Sequence, residues 1–239
     1  DNTIAWYEND GAANPSWTAA DIATNATTAV EIYIADMDGD GDLDIVSASQ
    51  ADDTIAWYEN DGAADPSWSA ADIATNADLV RDIEVADMDG DGDLDIVSAS
   101  VNDDTIAWYE NDGAADPSWT AADIATSADG ARGVHVADMD GDGDLDIISA
   151  ARDDDTVAWY ENDGAADPTW TATDIVTNMD GARDIEAADM DGDGDLDIVS
   201  VSQNDDTIAW YENTCDGSDP LVLDLDGDGI ELLGLAAGI

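Results

Sequence analysis

The apolar positions of this chain fall in short runs that repeat. The segment AWYEN begins at Ala5, Ala56, Ala107, Ala158 and Ala209, a constant spacing of 51 residues. Each period holds four segments rich in Ile, Val, Trp and Ala and bounded by Asp, Asn, Gly and Pro, the signature of short strands joined by turns. In the second period they are Arg81 to Ala86, Asp95 to Ser100, Thr105 to Glu110 and Trp119 to Ala125, here named strands A to D. Apolar residues occupy both faces: in strand C, Ile106 and Trp108 point one way, Ala107 and Tyr109 the other. A sheet apolar on both faces has to be sandwiched. Four-stranded units of about 50 residues with that property read as propeller blades packed face to face.

The connection from A to B is polar throughout and has the clearest chemistry. DMDGDGDLD spans Asp36 to Asp44 and returns as Asp87 to Asp95, Asp138 to Asp146 and Asp189 to Asp197. Carboxylates at loop positions 1, 3, 5 and 9 (Asp36, Asp38, Asp40, Asp44) can converge on one centre, and Asp42 at position 7 can offer its backbone carbonyl. The same roles fall to Asp87, Asp89, Asp91, Asp93 and Asp95, to Asp138, Asp140, Asp142, Asp144 and Asp146, and to Asp189, Asp191, Asp193, Asp195 and Asp197. An oxygen-only cage suits a hard cation. Ca²⁺ is its usual occupant, and Mg²⁺, which keeps several waters, is the weaker alternative. Gly41 at position 6 permits the bend that wraps the loop. The loop is not an EF-hand, because position 12 holds Ser47, Ser98, Ser149 and Ser200 where a bidentate Glu would stand. An isolated acidic turn would be solvated, but four identical copies at one period point to metal.

With these residues in view, the chain resembles the FG-GAP or VCBS repeat family, the calcium-binding blades of the integrin alpha-subunit head and of many secreted bacterial proteins. The DxDGDGDxD loop carries the resemblance, which covers residues 1 to 213. It implies a β-propeller of about seven blades, with the metal loops on one face of the disc and ligands usually met on the other. This chain departs from that in number. It supplies four metal loops, begins with strand C and ends inside another blade with strand C. The expected fold is therefore all-β, a propeller-type array of four-stranded antiparallel blades. Three arrangements follow: a closed ring of four blades, with the first D strand completing the last blade; an arc of a larger ring; or a linear solenoid.

After Asn213 the period breaks. Residues 214–239 read as a degenerate linker and the start of a further segment, LVLDLDGDGIELLGLAAGI. Asp224, Asp226 and Asp228 repeat loop positions 1, 3 and 5, but position 9 is Leu232, so this fifth cage needs Glu231 or another segment to complete it. The string is similar to calcium loops of large secreted bacterial adhesins and toxins. Its apolar end suggests that the natural chain continues, and the start at Asp1 suggests a processed chain or an excised fragment.

Composition adds an extreme charge: 60 acidic residues against 4 basic ones, no lysine, net −56. Such a surface repels nucleic acid and anionic membranes and fits a saline, calcium-containing medium outside the cell or at its surface. With 44% apolar residues the chain can nonetheless build a core. No run approaches the roughly 20 apolar residues that span a bilayer. Cys215 is alone, so no internal disulfide is expected, and Asn25-Ala26-Thr27 is a glycosylation acceptor of a kind common by chance.

Differences among the copies separate two faces. The A–B loops are identical, whereas the D–A and B–C connections vary, and these two emerge on the same face of a propeller. All four arginines lie there: Arg81, Arg132 and Arg183 at one equivalent position and Arg152 in a B–C connection. Either each pairs with a nearby aspartate, or this face meets a protein, a glycan or another copy of the chain, since variable loops on a fixed scaffold carry binding. Front-to-back stacking would set arginines against a neighbour's acid loops and propagate as a head-to-tail filament. The nine tryptophans lie in strands and are expected to pack between blades, and His135 is expected to be a packed strand residue. No singular catalytic constellation stands out, because the carboxylates recur in every unit. The reading is a secreted, calcium-stabilised, non-catalytic module for adhesion or extracellular assembly. A glycan-binding lectin is the alternative, followed by a polysaccharide-active enzyme.

Overall fold

A computed structural model describes residues 2–213 and 223–224. Among the described residues there are strands and no helix, and every pairing is antiparallel. β1 (Ile4–Asn9) and β2 (Trp17–Ala23) form a two-stranded sheet. Three four-stranded sheets follow: β3 (Ala29–Ala35) to β6 (Trp68–Ala74) through β4 (Asp44–Ser49) and β5 (Thr54–Asn60); β7 (Val80–Ala86) to β10 (Trp119–Ala125) through β8 (Asp95–Ser100) and β9 (Thr105–Asn111); β11 (Ala131–Ala137) to β14 (Trp170–Val176) through β12 (Asp146–Ala151) and β13 (Thr156–Asn162). The last sheet joins β15 (Ala182–Ala188), β16 (Asp197–Ser202), β17 (Ile208–Asn213) and β18 (Leu223–Asp224).

Each sheet is a meander whose order in space is its order in sequence, as short turns between antiparallel strands dictate. Strands A of neighbouring blades (β3, β7, β11, β15) approach one another, whereas strands D are largely exposed. The two faces of a blade bury into different cores, as the strand pattern requires. Ala107 and Tyr109 join Val46, Ile55 and Trp57 of the preceding blade; Ile106 and Trp108 join Val134, Ile147 and Tyr160 of the following one.

The sheets do not close into a ring, so the four-bladed ring is not formed. β2 pairs with β1 instead of completing the last blade, and the place beside β17 is taken by β18. Equivalent positions record the open end. Ile55, Ile106 and Val157 are fully buried, while Ile208 is 78% exposed; Met37, Met88 and Met139 are each 2% exposed in their inter-blade cores, while Met190 is 54% exposed. A blade face is covered only by the blade that follows it.

The opposite face from the A–B loops is also knit from blade to blade. The B–C turn aspartates Asp53, Asp104 and Asp155 accept from the amides of Leu79, Gly130 and Gly181 in the next blade's D–A connection, at 3.0, 3.0 and 2.9 Å. These three aspartates hold positive φ of 56°, 57° and 60°, a conformation that Asp tolerates better than most residues.

Deleting side chains at one equivalent position tests this packing. Ile106→Ala is expected to cost about 2–5 kcal/mol as a core truncation. Ile208→Ala is expected to stay within about 0.5 kcal/mol, as exposed substitutions do. Equal losses in chemical denaturation would show that the last face is covered in solution.

Candidate metal loops

Each A–B loop is bent by its own short side chains. In the first, the amide of Gly41 donates to Asp36 Oδ2 at 3.0 Å, that of Asp40 to Asp38 Oδ1 at 3.2 Å, and that of Asp42 to Asp40 Oδ1 at 2.8 Å. Gly39 and Gly41 take φ of 73° and 95°, which a residue without Cβ adopts at little cost. The same carboxylates that fix the loop backbone are gathered at its centre. Ligand atoms of Asp36, Asp38 and Asp40 lie within 4.8 Å of one another, as do those of Asp87, Asp89 and Asp91, of Asp138, Asp140 and Asp146, and of Asp189, Asp191 and Asp193. Positions 1 and 3 thus meet in all four loops, position 5 in three and position 9 in one.

The position-9 aspartates serve the frame as well. Asp44 is buried; its Oδ1 accepts from the amide of Asn60 at 2.8 Å, and its Oδ2 from the amide of Met37 at 3.2 Å and the indole of Trp57 at 3.0 Å. Asp95, Asp146 and Asp197 accept from Asn111, Asn162 and Asn213 in the same way, each at 2.8 Å. The position-7 aspartates turn aside. A Cβ on Gly62, Gly113 or Gly164 would collide with the carboxylate of Asp42, Asp93 or Asp144, which leaves the loop carbonyl as the group that position 7 can offer.

Two kinds of residue here were not singled out from the sequence as parts of the site. The AWYEN asparagines tie neighbouring loops together: Asn111 Nδ2 donates to Met37 O of the preceding blade at 2.9 Å and to Leu94 O of its own at 3.1 Å, and Asn162 and Asn213 repeat the pattern. The glycines of the C–D turn, read only as turn formers, make room for the position-7 carboxylates. Identity of both motifs across repeats was the available signal. In the last sheet, Asp224 lies in β18 opposite Glu212, and Asp226 and Asp228 fall outside the described residues. His135 is a half-buried strand residue, but its Nδ1 lies 3.3 Å from Glu84 and 3.6 Å from Glu186 of the adjacent blades; the Glu84 hydrogen bond raises its pKa.

The donor set fits a hard cation. It is all oxygen, and Asp36 Oδ1 and Asp87 Oδ1 are buried with no hydrogen-bond partner, a state that is costly without a positive charge nearby. Burial pushes Asp95 and Asp146 up to about 7, and raises Asp38, Asp89 and Asp140, whose neighbouring carboxylates add to the effect.

A pKa raised in the folded state contributes stability that is full below the unfolded value near 3.9 and lost as pH rises through the folded one. In chelator, the melting temperature is therefore expected to fall between about pH 4 and 7, and a flat profile by calorimetry would contradict these shifts. The asparagine link has its own measure. Asn111→Ala leaves two carbonyls without their donor and is expected to cost about 2–3 kcal/mol, against about 1 for Asn60→Ala, which lacks the inter-blade bond and leaves only the exposed Leu43 carbonyl without its donor; both variants also lose the turn bond from Gly62 or Gly113. Equal costs in urea unfolding would discount the inter-blade bond.

Comparison with known proteins gives three findings. A family model described as the FG-GAP-like repeat matches residues 1–47, 36–98, 87–149 and 138–200. Among solved structures, the chain is similar to the rhamnogalacturonan lyase YesW, with a TM-score of 0.47 and 13% identity over 84% of this chain and 44% of that one. It is also similar to the V. cholerae biofilm matrix protein Bap1, with a TM-score of 0.44 and 22% identity over 87% of this chain and 34% of that one. The chain spans less than half the length of either protein. No curated protein matches.

Proposed function

The chain belongs to the FG-GAP-like repeat family, and from that premise we propose that it is a calcium-stabilised, non-catalytic repeat module working outside the cell, in adhesion or in assembly of extracellular material. The observation that carries this reading is that one acid cluster recurs in each of four blades, two of them with an orphaned, buried carboxylate oxygen. A catalytic site is singular in a chain, and a group that recurs in every blade serves the scaffold. Positions 1, 3, 5 and 9 would hold the ion through carboxylates, and position 7 through its carbonyl. Calcium fits better than magnesium, because it accepts many oxygen ligands in flexible geometry.

Charge supports the same assignment. A chain with net −56 is destabilised by self-repulsion, which bound divalent ions and salt reduce. Calcium sites of extracellular modules work in the 0.1–1 mM range, so they fill where the ion is abundant.

With a Kd of about 0.1 mM, ~10 mM Ca²⁺ adds about 2.7 kcal/mol per site, and the sum over the loops rivals the stability of an ordinary domain. Chelation with EGTA is therefore expected to lower the melting temperature steeply. In a calcium titration, Asp38→Ala should lose one equivalent and Asp42→Ala should lose none. An unchanged melt in EGTA overturns the calcium reading, and equal losses from the two variants overturn the ligand assignment.

A further inference from the structure

At the start of every strand A the ladder skips one residue. Val80 pairs with Ser100 and Asp82 with Ala99, so Arg81 is the extra residue of a β-bulge. Arg132 is extra between Ala131 and Gly133, Arg183 between Ala182 and Asp184, and Val30 between Ala29 and Glu31. A bulge re-aims its side chain out of the ladder. Here it aims three arginines from three blades into one cavity of about 250 Å³, which Val30, Glu31, Asp82 and Asp184 also line. It lies six residues up strand A from the first loop aspartate, about 20 Å from the acid clusters at strand spacing.

These arginines are not balanced in the ordinary way. Arg152 is: its guanidinium lies 2.6 Å from Asp153, an exposed pair of the kind that offsets local charge. Among the described residues, the ion pairs are those of Arg152 and His135, and none involves Arg81, Arg132 or Arg183. Arg132 Nε is buried without a hydrogen-bond partner. Two of the three acids that line the cavity are turned to backbone instead: Asp82 accepts from Ile83 and, across the blade boundary, from Val134 at 3.1 and 3.0 Å, and Asp184 accepts from Ile185 at 3.1 Å. Burial, then Arg183 and Arg81, lower the pKa of Arg132, and burial pushes Asp82 up to about 7.

We propose that the Arg81–Arg132–Arg183 cluster is a binding site for a compact oxyanion, the carboxylate or sulfate group of a ligand about one sugar ring in size. Guanidinium groups recognise such oxyanions by paired, charge-assisted hydrogen bonds. The cavity admits one such group, and the surrounding negative charge opposes a long polyanion lying across the face. The site deepens the reading of the chain as a binding module and rests on it only for its biological setting, because the calcium loops are separate groups of residues.

The test is calorimetric titration of the calcium-loaded protein at fixed ionic strength with sodium sulfate and with glucuronate, alongside a calcium titration of each sample. Wild type is expected to bind at least one with a Kd of about 1 mM or tighter. Preference for glucuronate assigns the site to a carboxylate-bearing sugar, and binding of sulfate without glucuronate assigns it to a sulfate group. Arg132→Gln is expected to weaken binding at least tenfold, Arg132→Lys less, and Arg152→Gln not at all, with the calcium equivalents unchanged in all three. Asp82→Asn keeps an acceptor for Val134, removes the negative charge that Asp82 carries above about pH 7, and is expected to tighten binding there. Absence of binding in wild type, or equal affinity in a folded Arg132→Gln protein, overturns the proposal. Loss of calcium binding with anion binding intact would instead count against the calcium assignment.

Discussion

Every blade of this protein carries apolar residues on both faces of one sheet, and no blade can bury them alone. That constraint shapes the rest. It makes Val97, Ala99, Ile106 and Trp108 one half of a core whose other half comes from the next 51 residues. Burying a large aliphatic or aromatic side chain contributes about 1.5–3 kcal/mol, so the interfaces, repeated along the array, dominate the favourable side of the balance. The opposing term is also repeated, because each of the four DMDGDGDLD loops contributes five aspartates to the chain's 60 acidic residues.

Packing and charge meet at the loops. Met37 lies beneath its loop in the core shared with the next blade, while its carbonyl accepts from Asn111 of that blade. Asp44 joins the same point from the other side, accepting from Met37, Trp57 and Asn60. The residues that shape each acid loop are therefore also those that register one blade on the next. An ion held there would act on the interface as well as on the carboxylates.

Much of this was legible in the sequence, for physical reasons that can be named. Strand limits were readable to within a residue because Asp, Gly and Pro punctuate every run. Where they differ, pairing decides. β7 begins at Val80 and not Arg81 because Arg81 is the extra residue of a bulge, and a bulge is a property of register. β9 runs on to Asn111 because Asn111 pairs with Trp119. The converging carboxylates were readable because ligand spacing is local. Ring closure was not, since it depends on the angle between blades, which no single repeat encodes. Nor was the contact of Asp42 with Gly62, which joins two loops that are separate in sequence. The shared position of the three arginines was plain, but their lack of carboxylate partners depends on the turning of Asp82 and Asp184 toward backbone amides.

The two ends of strand A thus divide the work of one element. At one end its exit into the A–B loop gathers negative charge and ties successive blades through Asn111, Asn162 and Asn213. At the other a bulge gathers positive charge, and Asp82 ties one blade to the next through Val134. Between them His135 lies 3.3 Å from Glu84 and 3.6 Å from Glu186, linking three blades. Because the same strands fix both ends, anything that ordered one blade against another at the loops would also set the spacing of the arginines. The scaffold and the arginine-lined cavity are parts of a single packed array.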